Sequence, residues 1–254
     1  MDKLERVFNP RSVAVVGSKQ VDNHSWLRTV LPFEGPKYHI NVDQSEWESA
    51  TELGFPNFSS LLDVPDEVDF VIVSVPAQIV PRVLKDCIAK GVAGVHLYTA
   101  GFSETGTEEG IRLENQIVEM ATEGGLKVVG PNCKGIFNTK VGIGVKLGRY
   151  HGEFGHLSFI SHSGSHSVSF GQGSSFHNLK VSKLVSMGNG VILDSHDYLD
   201  YFHQDSDTRV IGMYLEGIRN GPRFFETLRR VSEQKPVLVW KVGETEDAGR
   251  AVSN

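Results

Sequence analysis

Short runs of β-branched and other apolar residues recur along the whole chain, each closed by Gly, Ser, Pro or Asn and usually followed by a helical pattern. They predict strands over residues 12–16, 38–42, 68–75, 94–98 and 127–129, and later over 157–160, 181–185, 210–215 and 236–241. Several are apolar at successive rather than alternate positions, as parallel strands covered by helices on both faces should be. Between residues 79 and 90, Val80, Leu84, Cys87 and Ile88 form one stripe, with Pro81 in the tolerated first turn and Gly91 just past the end. Thr107 is placed to cap a second helix that carries Glu108 and Glu109 in its first turn and stops at Gly124-Gly125. Pro222 opens a third, with Phe224, Phe225, Leu228 and Val231 on one face, and residues 166–176 predict a fourth.

From residue 138 to 153 the apolar periodicity lapses into Gly142, Gly144, Gly148 and Gly152, which marks a domain boundary. Strand-helix alternation on both sides of it predicts an α/β protein. A Rossmann-type parallel sheet is expected over residues 1–145 and a smaller flavodoxin-like α/β domain over 146–254.

Composition narrows the field by exclusion. With 254 residues, 39% hydrophobic and 22% charged, the chain is large enough for a packed core and too apolar for disorder. No apolar run reaches the roughly 18 residues of a membrane span, and the start Met1-Asp2-Lys3-Leu4-Glu5-Arg6 does not read as a leader; a cytoplasmic or organellar-matrix setting and no membrane partner are expected. Two cysteines, Cys87 and Cys133, make no disulfide framework or Cys-x-x-Cys metal pair. A net charge of −6 argues against nucleic acid.

In an open α/β sheet a ligand sits at the carboxyl ends of the strands, so the chemistry is sought in the loops there. After the first strand comes Gly17-Ser18-Lys19-Gln20-Val21-Asp22, without the full Gly-x-Gly-x-x-Gly spacing of a dinucleotide site. Asp43 is placed to meet a ribose hydroxyl, although a solvated turn residue is the commoner reading. Further loops follow at Ser74-Val75-Pro76-Ala77, at Thr99-Ala100-Gly101-Phe102-Ser103-Glu104 and at Gly130-Pro131-Asn132-Cys133-Lys134-Gly135. Each alone is ordinary turn chemistry; together on one sheet edge they form a trough for an elongated ligand. Cys133 reads first as a gap-filling apolar residue, since no base is located beside it.

The second unit supplies the sharpest local signal. A strand ends in Ser161-His162-Ser163-Gly164-Ser165 and a helix follows, which brings free amides, hydroxyls and the positive end of the helix dipole to one point. That suits a phosphate or another tetrahedral anion. A serine-hydrolase elbow would require glycine at Ser161, and His162 with His166 lacks the companions of a metal site; no metal is expected on this chain. Tyr214-Leu215-Glu216-Gly217 places a carboxylate at the same edge, able to orient a histidine or hold a proton near a phosphate.

Taken in order, these loops resemble the NDP-forming acyl-CoA synthetases, relatives of the succinyl-CoA synthetase α subunit. The resemblance rests on Val75-Pro76-Ala77, Lys90-Gly91-Val92, residues 99–104 and 130–135, Ser161-His162-Ser163-Gly164, Gly188-Asn189, Tyr214-Leu215-Glu216-Gly217 and Lys235-Pro236-Val237. It implies a ligase that converts acid, CoA and NTP to acyl-CoA, NDP and phosphate through an acyl phosphate and a phosphohistidine. Coenzyme A would lie on the first domain, with Gly17 and Ser18 at its phosphates, Val75 and Pro76 by its adenosine, and Ala100, Gly101, Asn132 and Cys133 along the pantetheine route. Ser161, Ser163 and Gly164 would hold the transferred phosphate, and Glu216 would orient the phosphohistidine. ATP/ADP and Mg would belong to a partner ATP-grasp domain, fused or a separate β-type subunit, and a small acyl group would be the substrate; a homo- or hetero-oligomer is compatible with this.

The chain departs from that family at Val21, Asp22 and Asn23, where a further small residue is usual, and at His162, where glutamine or arginine is common. The family's Ser/Asn-His-Thr-Gly segment would begin at Ser253-Asn254. The resemblance therefore implies that the phosphorylated histidine and the last strand-helix pair lie outside these 254 residues, and that this chain alone does not turn over. A CoA- or acyl-CoA-sensing regulatory module is the alternative, and an NAD(P)-linked oxidoreductase ranks last.

Overall fold

The computed structural model describes residues 2–144 and 154–243; residues 145–153, into which the expected boundary runs, and Ser253-Asn254 lie outside them. The first layer system comprises α1 (Lys3–Phe8), β1 (Val13–Val16), α2 (Ser25–Arg28), β2 (Lys37–Ile40), α3 (Trp47–Glu52), β3 (Asn57–Phe58), β4 (Phe70–Val73), α4 (Val80–Lys90), β5 (Gly94–Leu97), α5 (Glu108–Glu123) and β6 (Lys127–Val129). The second comprises β7 (Gly135–Asn138), β8 (Leu157–Ser161), α6 (Gly164–Phe176), β9 (Val181–Ser186), α7 (Ser195–Gln204), β10 (Val210–Leu215), α8 (Gly221–Ser232) and β11 (Val237–Lys241).

The first sheet has six strands in the order β3-β2-β1-β4-β5-β6, all parallel. Its central strands are buried at every position, which is why they read as unbroken apolar runs. The chain leaves β1 toward β2 and returns to β4 on the other side, so the crevice between β1 and β4 is the topological switch point. Thr107 caps α5 by accepting from the Gly110 amide, and α4 ends at Gly91 in the left-handed region, φ 75°.

The second sheet runs β11-β10-β8-β9-β7, parallel except that β7 is antiparallel to β9. The α/β class expected from the sequence is the observed one. Strand β7 is recruited from residues ahead of the expected 145/146 boundary, so the second sheet borrows its edge from the segment that follows β6.

The two sheets share one apolar cluster, in which Leu4, Val7 and Phe8 of α1 and Val13 and Val15 of β1 join Ile160, Val185, Tyr198, Phe202 and Ile211. Phe8 stacks on Tyr201 with ring centroids 4.5 Å apart. Polar contacts rim this seam: the Tyr201 hydroxyl donates to Glu5 at 2.8 Å, and Asn138 Nδ2 donates to the Phe8 carbonyl at 2.8 Å.

Asp69, at the start of β4, has a fully buried side chain and accepts from Arg6 Nε at 2.8 Å and from Arg11 Nε at 2.9 Å. Burial alone would raise this carboxyl, but hydrogen bonds from Arg11 and Arg6 outweigh it and hold it at about 2 against an ordinary 3.8. A carboxyl lowered on folding stabilises above its ordinary pKa and loses that contribution as pH falls through the folded value. Stability measured by urea denaturation should therefore decline by about 2 kcal/mol between pH ~4 and ~2 through this group. The Asp69→Asn variant should be less stable at neutral pH and should lack that part of the acid decline.

Candidate functional site

At the switch point, β1 ends in Gly17, whose φ is +86°; a Cβ there would stand 2.5 Å from the Ser74 carbonyl oxygen and from Val75 Cγ1. Only glycine permits the loops after β1 and β4 to approach this closely. Val75 lies against Gly17 with Pro76 next along the loop, and the Thr99 hydroxyl donates to the Val75 carbonyl at 2.7 Å, tying the β4 loop to the β5 loop. The Ser18 side chain is buried, its hydroxyl 3.4 Å from His24 Nδ1, and its carbonyl accepts from Asn41 at 3.0 Å. Ser18 thus lies beneath the loop, its carbonyl occupied by Asn41 and His39. Val21 is 91% exposed on the short turn that follows, and Asp43 accepts from the Ser45 amide and hydroxyl as a turn residue does.

Where the first sheet's C-terminal edge meets the N-terminus of α6, the chain lines a half-open cavity of about 760 Å³. Ala100, Asn132 and Cys133 line it from the first sheet, and Ser163, Gly164 and Glu216 from the second. Six of the twelve expected site residues thus converge. Gly17, Ser18, Val75 and Pro76 lie at the crevice along the same sheet edge. Gly101 stands beside the cavity, its amide held by Glu104, and Ser161 is fully buried with its hydroxyl donating to the Ser163 carbonyl at 2.8 Å. Ser161 braces the loop that leads into α6 rather than facing the cavity.

Ser163 caps α6, its hydroxyl accepting from the His166 amide at 3.3 Å and lying 3.0 Å from His166 Nδ1. The His166 ring stacks on Tyr214, centroids 4.3 Å apart. His162 is pushed below its ordinary pKa by burial, so it is neutral near pH 7, and its Nδ1 accepts from the Glu216 amide at 3.4 Å. Glu216 is raised by burial, against His166, the Tyr214 hydroxyl and Lys241, which favour its charge. A carboxyl lifted this way is suited to sharing a proton.

Reasoning from the sequence gave Lys134 no role. Its stem packs on α6, where a Cβ on Gly164 would come 3.0 Å from Lys134 Cγ, and its ammonium lies 4.8 Å from the Tyr98 ring centroid. The cavity thus has an ammonium beside the helix N-terminus, two sources of positive potential at one point. The loop after β9 closes the other wall. A Cβ on Gly188 would stand 2.2 Å from the Pro131 carbonyl oxygen, and the Asn189 amide donates to that oxygen at 3.0 Å.

Residues 11–139 match the CoA binding domain family and residues 154–254 the succinyl-CoA ligase like flavodoxin domain. The chain belongs to the NDP-forming acyl-CoA synthetase family. Among curated relatives in the family, the ADP-forming acetate–CoA ligase I of Archaeoglobus fulgidus is 36% identical over 99% of this chain and 36% of its own length. The α subunit of the ADP-forming acetate–CoA ligase I of Pyrococcus furiosus is 35% identical over 99% of this chain and 55% of its own. The dinucleotide forming acetyl-coenzyme A synthetase 1 of Ca. Korarchaeum cryptofilum, solved in complex with phosphate and ADP, superposes with a TM-score of 0.89 at 36% identity, covering 100% of this chain and 54% of that one. The chain therefore spans about a third to about half of these relatives.

Cys133 bears on what chemistry this family member can perform at the cavity. Its thiol donates to the Leu97 carbonyl, Sγ to oxygen 3.6 Å, and burial pushes its pKa up to about 12. Cys87, also buried, is raised by burial as well. Neither thiol is a nucleophile at neutral pH. Iodoacetamide at pH ~8 should leave both unalkylated in the folded chain and label both after denaturation; rapid labelling of Cys133 in the native protein, read by mass spectrometry, would contradict the geometry.

Proposed function

We propose that this chain is the CoA-binding, α-type part of an NDP-forming acyl-CoA synthetase, which joins a small carboxylic acid to CoA at the expense of an NTP. One observation carries the reading: the cavity in which the pantetheine-side loops of the first sheet face the anion-binding end of α6. A thioester carried along the first sheet edge would bring its carbonyl to this junction.

In that reading the loop opened by Gly17, with Ser18 packed beneath it, lies at the CoA phosphates, and Val75 and Pro76 flank the adenosine. Ala100, Gly101, Asn132 and Cys133 border the pantetheine arm. Ser163, Gly164 and Lys134 receive the phosphate, since phosphoryl chemistry asks mainly for positioning and charge stabilisation. Glu216, half-buried at the far wall, orients the group that accepts the phosphoryl. The nucleotide and Mg belong to a partner ATP-grasp domain, fused or separate, and the working setting is the cytoplasm. Among the described residues no helix is long and apolar enough to cross a membrane.

Calorimetric titration should show CoA binding and no comparable binding of NAD; preference for NAD would overturn the assignment. Lys134→Met should raise the dissociation constant for inorganic phosphate about tenfold, the worth of one charge-assisted hydrogen bond, with CoA affinity little changed. An unaltered phosphate constant would remove Lys134 from the anion site.

A further inference from the structure

We propose that Glu104 and Asn189 form the joint that holds the two halves of the cavity in register, with Asn189 as a positioning residue. The inference rests on the functional reading above, because the loops it joins are the pantetheine-side and phosphate-side loops of that reading.

Glu104 belongs to the loop after β5, and its Oε1 accepts from the amides of Gly101 at 2.6 Å and Phe102 at 3.1 Å. That carboxylate oxygen sets the path of the backbone beside Ala100. The other oxygen, Oε2, accepts from Asn189 Nδ2 at 2.7 Å, across the seam between the sheets. The same Nδ2 donates to Glu114 Oε2 at 2.9 Å, an oxygen that also accepts from the Ser103 hydroxyl at 2.7 Å. On its own side Asn189 is held through the main chain: its amide donates to Pro131, and its carbonyl accepts from Arg219 at 2.8 Å. Arg219 lies on the loop that carries Glu216. One residue thus meets the loops at 101–104, 130–132 and 216–219, the first through its side chain and the other two through its main chain.

The residue type matters. A primary amide nitrogen carries two hydrogens, and two carboxylates accept them here. The amide is neutral, so it bridges Glu104 and Glu114 without adding charge between like charges. Burial opposes the charge on Glu104, yet the Asn189 side chain and the Gly101 and Phe102 amides keep its carboxyl below the ordinary value. A group of the same shape that only accepts would push the two loops apart.

Asn189→Asp supplies that group with almost no change in volume. The charges facing it are Glu104 and Glu114 from the first sheet's loop and helix, and the Arg219 guanidinium from its own domain. CoA affinity by calorimetry, and protection of the Gly101 and Phe102 amides by hydrogen exchange, are compared at about pH 8 and about pH 5.5. At the higher pH the variant should bind CoA about tenfold more weakly than wild type and lose about tenfold in amide protection. Toward pH 5.5 part of both losses should be regained, because like charge on two sides favours a proton on the introduced carboxyl, which can then donate. Asn189→Ala should show the losses at both pH values without recovery, which a merely structural defect in the aspartate variant would also show. Wild-type amide protection in the aspartate variant at pH 8, or a loss indifferent to pH, would overturn the joint. If wild-type protein takes up no CoA, the functional reading fails, while the exchange data still decide whether Asn189 holds the loop.

Discussion

The structure depends first on the apolar seam between the two sheets. Phe8 and its neighbours on α1 are driven out of water against Tyr198, Tyr201 and Phe202 of α7, and the buried cluster runs without a break from β1 to β10. Because interiors are close-packed, such a seam fixes the relative placement of the sheets rather than allowing a continuum of angles. Everything at the cavity follows from that. Its walls come from different sheets, and none of the loops involved could define the space alone.

The seam leaves a polar junction at one end. There the helix dipole of α6 and the Lys134 ammonium set a positive field, while burial lifts Glu216 and keeps His162 neutral. The same desolvation that penalises isolated charges strengthens every interaction with an incoming anion. Cys133, in the same loop as Lys134, is lined up with the Leu97 carbonyl and serves packing.

Much of this was legible along the chain. The central strands announce themselves because burial on both faces allows no polar alternation at Val13–Val16, Phe70–Val73 or Gly94–Leu97. Helix α5 was marked by its Thr107 cap and acidic first turn. Helix α7 was not, since Tyr198, Leu199, Tyr201 and Phe202 alternate with His and Asp in a segment whose apolar face is half tyrosine, although its Asp194-Asp197 capping box is a signal in retrospect. Strand β7 has two apolar residues, Ile136 and Phe137, and its pairing with β9 is a long-range choice that local pattern does not encode. At the cavity, residue type pointed to the right loops but not to the direction of each side chain. Ser161 and Ser163 look equivalent in sequence, yet one hydroxyl turns inward and the other caps a helix. Lys134 gains its meaning only from the fold, which lays its stem on Gly164.

The contact between Gly188 and the Pro131 carbonyl carries a consequence for how such a chain can change over generations. No side chain fits between those two turns, so neither can drift alone. An insertion or a bulkier residue on one side demands a matching retreat on the other, and the pair is expected to vary as a correlated unit while the flanking helices diversify freely. Variation in what the pocket accepts must then arise at positions that border the gap, not in the span of the gap itself.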